Sequence, residues 1–173
     1  MLQQRLNILI LFLLLTSCGS GKLVAIKDIK NIRTQIDQAN NLTTVSYRLI
    51  PGVDIAKNKS GTLIIWQEDG IILKIEQQLY SDSNYRRSMV YFNKQAPVFM
   101  TNKIEEAVTI DPINGEKEEY HSFKILDYYI LDWENNLIVK QINGQSSKNK
   151  LEFCRPCFEK LIKLAQDKMV DTR

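Results

Sequence analysis

The chain has 173 residues, of which 44% are apolar and 25% are charged, a composition typical of one globular domain. Its 23 Lys and Arg and 20 Asp and Glu leave a formal charge of +3 spread along the sequence, which argues against nucleic-acid binding through a broad cationic face. The single histidine, His121, excludes zinc sites built on several imidazoles and favours binding over catalysis, with no cofactor expected.

Residues 1–17 predict a secretory signal peptide. Arg5 precedes an uninterrupted apolar run from Ile8 to Leu15. As a helix this run is about 12 Å long, too short for a hydrocarbon core of about 30 Å. We therefore expect the apolar region of a cleaved signal rather than a membrane-spanning anchor.

Directly after this run, Leu15, Thr16, Ser17 and Cys18 stand in the order L-[ASTVI]-[GAS]-C. This motif resembles the lipobox of bacterial lipoproteins of the Gram-negative type. The resemblance implies that the signal is cut before Cys18, that its thiol is diacylated, and that the new amino terminus is acylated too. Two or three acyl chains would hold the protein stably on a membrane.

The residue after Cys18 is Gly19 rather than the Asp that typically retains such lipoproteins at the inner membrane. The resemblance therefore implies a location in the cell envelope, on the periplasmic face of the outer membrane. The alternative is an ordinary secretory signal followed by an unrelated cysteine.

Residues 18–27 are predicted to form a tether, and residues 28–170 a single α+β domain. Asp28 is a candidate N-cap for a helix over about residues 28–40. The apolar residues of this helix recur at helical spacing: Ile29, Ile32, Ile36 and Ala39.

Beyond this helix the apolar period changes from 3.6 to 2, which predicts strands. The predicted strand runs are Thr43–Ile50, Gly61–Gln67, Ile71–Tyr80, Arg86–Asn93, Ala96–Thr101, Tyr120–Trp133 and Leu137–Asn143. Asp69-Gly70 between two of them is a strong hairpin signal. Pro97 suggests that its strand lies at a sheet edge, and residues 111–119 predict a solvated loop.

A second amphipathic helix is predicted near the end of the chain, with Pro156 in its first turn. Its apolar stripe contains Phe158, Leu161, Ile162, Ala165 and Met169. Short turns between consecutive strands predict an antiparallel sheet. The expected fold is therefore α+β: a single antiparallel meander sheet of six or seven strands, with an N-terminal and a C-terminal helix packed on one face.

Cys154 and Cys157 stand in a C-x-P-C motif at the start of this helix, which resembles the redox motif of thioredoxin-like proteins. The resemblance implies disulfide exchange, although too few residues follow Cys157 to complete that fold. The structural interpretation is a disulfide, because lipidation of Cys18 leaves one pair of thiols in an oxidising envelope. Redox activity, free thiols and a metal site completed by His121 and a carboxylate remain alternatives.

Aromatic residues fall on the predicted strands or at their ends. On a sheet face that no helix covers, they would form a recognition surface for a protein or glycan. Cross-strand packing in the core is the alternative. The candidate binding residues are Trp66, Tyr85, Arg86, Tyr128 and Trp133.

Together these features predict an outer-membrane-tethered, non-enzymatic binding module resembling inhibitor or immunity-type lipoproteins. Its partners would be the membrane, through the lipid on Cys18, and an unknown envelope protein or small ligand. The alternative function is that of a thiol redox or redox-sensing lipoprotein using Cys154 and Cys157.

Overall fold

The computed structural model describes residues 25–82, 84–110, 118–144 and 153–170. The expected signal peptide, the lipobox with Cys18, most of the expected tether and most of the expected loop at residues 111–119 lie outside the described residues. The chain divides into two units, residues 1–38 and residues 39–173.

In the first unit, helix α1 covers residues 25–38. The predicted N-cap was wrong, because the helix already includes residue 25 and Asp28 lies within it. An aspartate near the start of a helix interacts favourably with the helix dipole, so the residue type alone does not separate a cap from a first turn. No helix among the described residues is long and apolar enough to span a membrane.

In the second unit, the described residues form one open antiparallel sheet of seven strands. Each strand is hydrogen-bonded to its neighbour in the sequence, so the predicted meander and the α+β fold class are confirmed. The strands are β1 (Thr43–Leu49), β2 (Ser60–Glu68), β3 (Ile71–Ser81), β4 (Asn84–Asn93), β5 (Ala96–Ile110), β6 (Glu118–Asp132) and β7 (Leu137–Gly144).

Helix α2 (Arg155–Val170) packs on one face of this sheet, here called the α2 face. Phe158, Leu161 and Ala165 of the helix are buried there. They share one core with the strand residues Leu49, Leu63, Ile65, Ile75, Val90, Phe92, Met100, Leu126, Tyr128 and Ile130. The predicted packing of the C-terminal helix is thus confirmed, and that of the N-terminal helix on the same face stays a prediction.

The last turn of α2 is held by an ion pair with the loop that follows β1. Lys168 Nζ lies 3.1 Å from Asp54 Oδ1, and the Asp54 side chain is only 6% exposed. The backbone N–H of Ile50 donates to Asp54 Oδ2 at 2.9 Å. This N–H and then Lys168 lower the pKa of Asp54 despite its burial, so the carboxylate stays charged and holds the loop to the helix.

The position of β5 corrects one prediction. Pro97 suggested an edge strand, but β5 lies between β4 and β6. The register shifts between Tyr91 and Phe92, and Pro97 pairs with Phe92 at this irregularity. A bulge near the start of a strand tolerates the missing N–H of proline, so the residue does not require an edge.

Two hairpins use two-residue turns in which both residues have positive φ. Between β2 and β3, Asp69 has φ 50° and Gly70 has φ 78°, which confirms the predicted hairpin. Between β4 and β5, Lys94 has φ 48° and Gln95 has φ 70°. The second turn therefore holds two non-glycine residues in a conformation that costs L-amino acids about 1–2 kcal/mol each.

We expect Gln95→Gly to raise the free energy of unfolding by about 1 kcal/mol, because glycine adopts positive φ without steric cost. Urea denaturation of the full-length protein measures this change. Gly70→Ala is the matched control in the other hairpin and should lower the stability. A Gln95→Gly variant less stable than the wild type would contradict the account of this turn.

Candidate functional site

The structure places the five candidate binding residues on different sides of the sheet. Trp66 and Tyr85 lie on the face opposite to α2, here called the opposite face, whereas Arg86 and Tyr128 lie on the α2 face. Trp133 follows β6 and packs against the α2-face core. The five residues therefore do not form one continuous surface.

Tyr128 and Trp133 belong to an aromatic cluster at the start of α2. Tyr128 is buried, and its ring centroid lies 4.9 Å from that of Phe153 and 6.0 Å from that of Phe158. Trp133 meets Phe153 edge to face at 6.5 Å, and the guanidinium of Arg155 lies 4.3 Å above the Trp133 ring. For these two residues, core packing describes the contacts better than ligand recognition.

Cys154 and Cys157 form a disulfide that spans the start of α2, with 1.98 Å between their Sγ atoms. The backbone N–H groups of Cys157 and Phe158 both donate to the carbonyl oxygen of Cys154, at 3.0 and 3.3 Å. Cys154 is half-buried and Cys157 is exposed. The bridge therefore fixes the turn that seats Phe153 and Phe158 on the sheet.

On the opposite face, Glu76 is the centre of a hydrogen-bonded network. Its carboxylate is 2% exposed and accepts two hydrogen bonds from Arg87, from Nε at 2.8 Å and from Nη2 at 2.6 Å. Gln78 also donates to it. The hydrogen bond with Glu76 raises the pKa of Arg87, which offsets the effect of burial.

Next to this network, an aromatic row crosses one end of the opposite face. Tyr80 and Tyr85 are directly opposed on β3 and β4, with ring centroids 5.0 Å apart. The register continues from Tyr85 to Glu105 on β5 and then to Phe123 on β6. We call Tyr80, Tyr85, Glu105 and Phe123 the tyrosine row.

The rings of the tyrosine row are partly exposed to solvent, and hydrogen bonding holds the Tyr80 ring in place. Tyr80 is 45% exposed and Phe123 is 44% exposed. The Tyr80 hydroxyl donates to Gln78 Oε1 at 3.0 Å, which ties the ring to the Glu76 network. Desolvation raises the pKa of Tyr85, so its hydroxyl remains protonated at neutral pH.

Of this row, sequence reasoning selected only Tyr85 as a binding candidate. Tyr80, Phe123 and the neighbouring Arg87 were not among the five candidate binding residues. Tyr80 could have been found from its position, because it lies as far before the β3–β4 turn as Tyr85 lies after it. Directly opposed residues of a hairpin lie on the same face of the sheet.

Arg86 lies on the α2 face beside a small cavity of about 70 Å³. The cavity is lined by Gln77, Leu79, Arg86, Ser88, Cys157, Phe158 and Leu161. Arg86 Nε is buried and has no hydrogen-bond partner in the described part of the chain. Desolvation lowers the pKa of Arg86, and interaction with Tyr128 opposes this effect.

A larger groove of about 290 Å³ lies near the other end of α2. It is lined by Gly70, Ile71, Ile72, Phe92, Gln95, Ile162, Gln166, Met169 and Val170. None of these side chains titrates in the physiological range, so the groove offers no acid–base chemistry.

In the described ranges, no three His, Cys, Asp or Glu side chains come close enough together to hold a metal ion. No family model matches the chain, and neither a curated protein nor a solved structure matches it significantly.

We expect Arg87→Met to lower the free energy of unfolding by about 2 kcal/mol, because it leaves the Glu76 carboxylate buried without its counterion. This is less than the loss for a fully buried pair, since the Arg87 side chain is 38% exposed. Urea denaturation measures the loss.

The double variant Glu76→Met/Arg87→Met is the matched control and should recover most of the stability, because no buried charge remains. Equal stability of the Arg87→Met variant and the wild type would show that the ion pair does not support the sheet.

Proposed function

We propose that the protein is a lipoprotein of the bacterial cell envelope, anchored through Cys18 on the periplasmic face of the outer membrane. Its α+β domain acts as a non-enzymatic module that binds an envelope protein, in the manner of inhibitor or immunity-type lipoproteins. The lipobox motif supports the anchor. The tyrosine row is the observation that carries the binding role.

The tyrosine row has the composition of a protein-recognition surface. Aromatic side chains supply a large contact area with few rotatable bonds, and they are enriched among the residues that dominate binding energy. Paired residues on four adjacent strands span about 14 Å, enough for the centre of a small interface. Lys103, adjacent to the row, forms an ion pair with Glu105 at 3.5 Å, as is common at the polar rim of an interface.

Two carboxylates, Glu105 within the row and Glu76 beside it, support binding rather than catalysis. Glu76 is engaged by Arg87, and Glu105 pairs with Lys103. A general acid or base has to face a substrate, and both carboxylate oxygens of Glu76 already accept hydrogen bonds from Arg87.

The anchor is tested by mass spectrometry of the protein purified from membranes. We expect cleavage before Cys18 and a mass increase corresponding to two or three acyl chains on this residue. An unmodified Cys18, or an amino terminus at another position, would refute the anchor.

The binding surface is tested by photo-crosslinking in intact cells, with the crosslinker introduced at Tyr80 or Phe123. A crosslinker at Leu137, which is 48% exposed on β7, is the matched control for an exposed apolar site away from the row. We expect the same discrete protein adduct from the two row positions and not from Leu137. A common set of adducts from all three positions, or no adduct, would contradict the proposed surface.

The second candidate function is thiol redox activity of Cys154 and Cys157. The disulfide lies at a helix N-terminus, where a thiolate is stabilised, and Cys157 is exposed. If the bridge is structural, Cys154→Ser/Cys157→Ser should lose about 2 kcal/mol of stability, the value expected for a short closed loop.

Hydrogen exchange should then accelerate mainly in the first turns of α2. A folded double variant of unchanged stability, which loses disulfide exchange with a dithiol, would favour the redox function instead.

A further inference from the structure

Arg86 and Arg87 are consecutive residues of β4 whose side chains lie on opposite faces. Arg87 is held by both oxygens of Glu76. Arg86 lines the cavity under α2, and its buried Nε has no hydrogen-bond partner in the described part of the chain. Strand β4 thus carries one arginine that is paired with a carboxylate and one whose Nε has no partner in the described part of the chain.

Arg86 as a residue is half-buried, but its buried Nε–H, which has no hydrogen-bond partner among the described residues, is costly. A guanidinium stays charged at any physiological pH, and buried charges in proteins are normally paired and hydrogen-bonded. Glu106 lies on the same face one residue pair away, opposite Asn84. It is exposed, and none of the ion pairs found among the described residues joins it to Arg86.

The cavity beside Arg86 has polar walls on the side of the sheet. Ser88 and Asn102 are buried, and the Ser88 hydroxyl donates to Asn102 Oδ1 at 2.6 Å. Of these two residues Ser88 lines the cavity, as does Gln77 from β3. Phe158 and Leu161 close the cavity from the side of α2, and their apolar surface strengthens electrostatic attraction inside it.

We propose that this cavity binds the carboxylate group of a short monocarboxylic acid, with Arg86 as its main contact. The volume of about 70 Å³ corresponds to roughly two water molecules, which matches a carboxylate with a small substituent. The planar fork of a guanidinium fits both oxygens of a carboxylate, as Arg87 and Glu76 demonstrate on the other face. The lowered pKa of Arg86 is consistent with a charge that lacks a compensating anion.

The test is a titration of the full-length protein with acetate, which replaces chloride at constant ionic strength. The ¹⁵N–¹H resonance of Arg86 Nε and the thermal midpoint are the two measurements. We expect a saturable shift of the resonance and a saturable rise of the midpoint with acetate only, because a ligand that binds the folded state stabilises it. The Arg86→Met variant should lose the rise, whereas Arg87→Met, the matched control, should keep it.

Butyrate and inorganic phosphate complete the experiment. Saturation by butyrate as well as acetate would support the carboxylate site. It would also show that the longer alkyl chain of butyrate can extend out of the cavity. A stronger effect of phosphate than of acetate would overturn the assignment to a carboxylate. A response to acetate that does not saturate, or that is equal in wild type and Arg86→Met, would overturn the site. Because the wild-type resonance reports binding directly, the proposal can be tested even if a variant does not fold.

The proposed site is independent of the tyrosine row, which lies on the other face. Loss of acetate binding would leave the crosslinks from Tyr80 and Phe123 unchanged, and absence of those crosslinks would leave the acetate titration unchanged. The two proposals therefore fail separately.

Discussion

The structure depends on the packing of α2 against one face of the sheet. On the α2 face, the core of the second unit forms where Phe158, Leu161 and Ala165 meet the strands. Tyr91, Phe99 and Tyr129 are buried on the opposite face. Burial of each large apolar side chain contributes about 1.5–3 kcal/mol. The disulfide at its first turn and the Lys168–Asp54 ion pair at its last turn hold the helix in this position from both ends.

The alternation of side chains along β4 gives the two sheet faces different chemistry. On the opposite face, Tyr85 and Arg87 join an aromatic row and a satisfied ion-pair network. On the α2 face, Arg86 and Ser88 bring polar groups to the border of an apolar core. A strand with apolar residues on both sides would have supported neither arrangement.

Most of the fold could be predicted from the sequence because the apolar period and the turn residues are local signals. Ile71 to Tyr80 and the Asp69-Gly70 turn defined a hairpin that the structure contains. Pro97 misled the prediction of strand order, because its missing N–H fits a bulge as well as an edge. The extent of β5 was also underestimated, since polar residues occupy both faces after Thr101.

The candidate site was harder to predict, because it depends on which residues share a face. Tyr85 and Arg86 were grouped as neighbours in sequence, but consecutive strand residues point to opposite sides of a sheet. Tyr80 was not selected because its proximity to Tyr85 requires the exact pairing of β3 with β4. Prediction of the cavity at Arg86 requires knowledge of where α2 packs on the sheet, and no local sequence pattern specifies this.

The position of α2 at the end of the described chain has a consequence for folding. Each strand can pair with the one before it as soon as both are available, so the sheet assembles through contacts of low sequence separation. The apolar part of the sheet that α2 covers nevertheless stays exposed until this helix arrives. The species most exposed to aggregation is therefore the nearly complete sheet, and the closing step is the docking of one helix rather than the pairing of another strand.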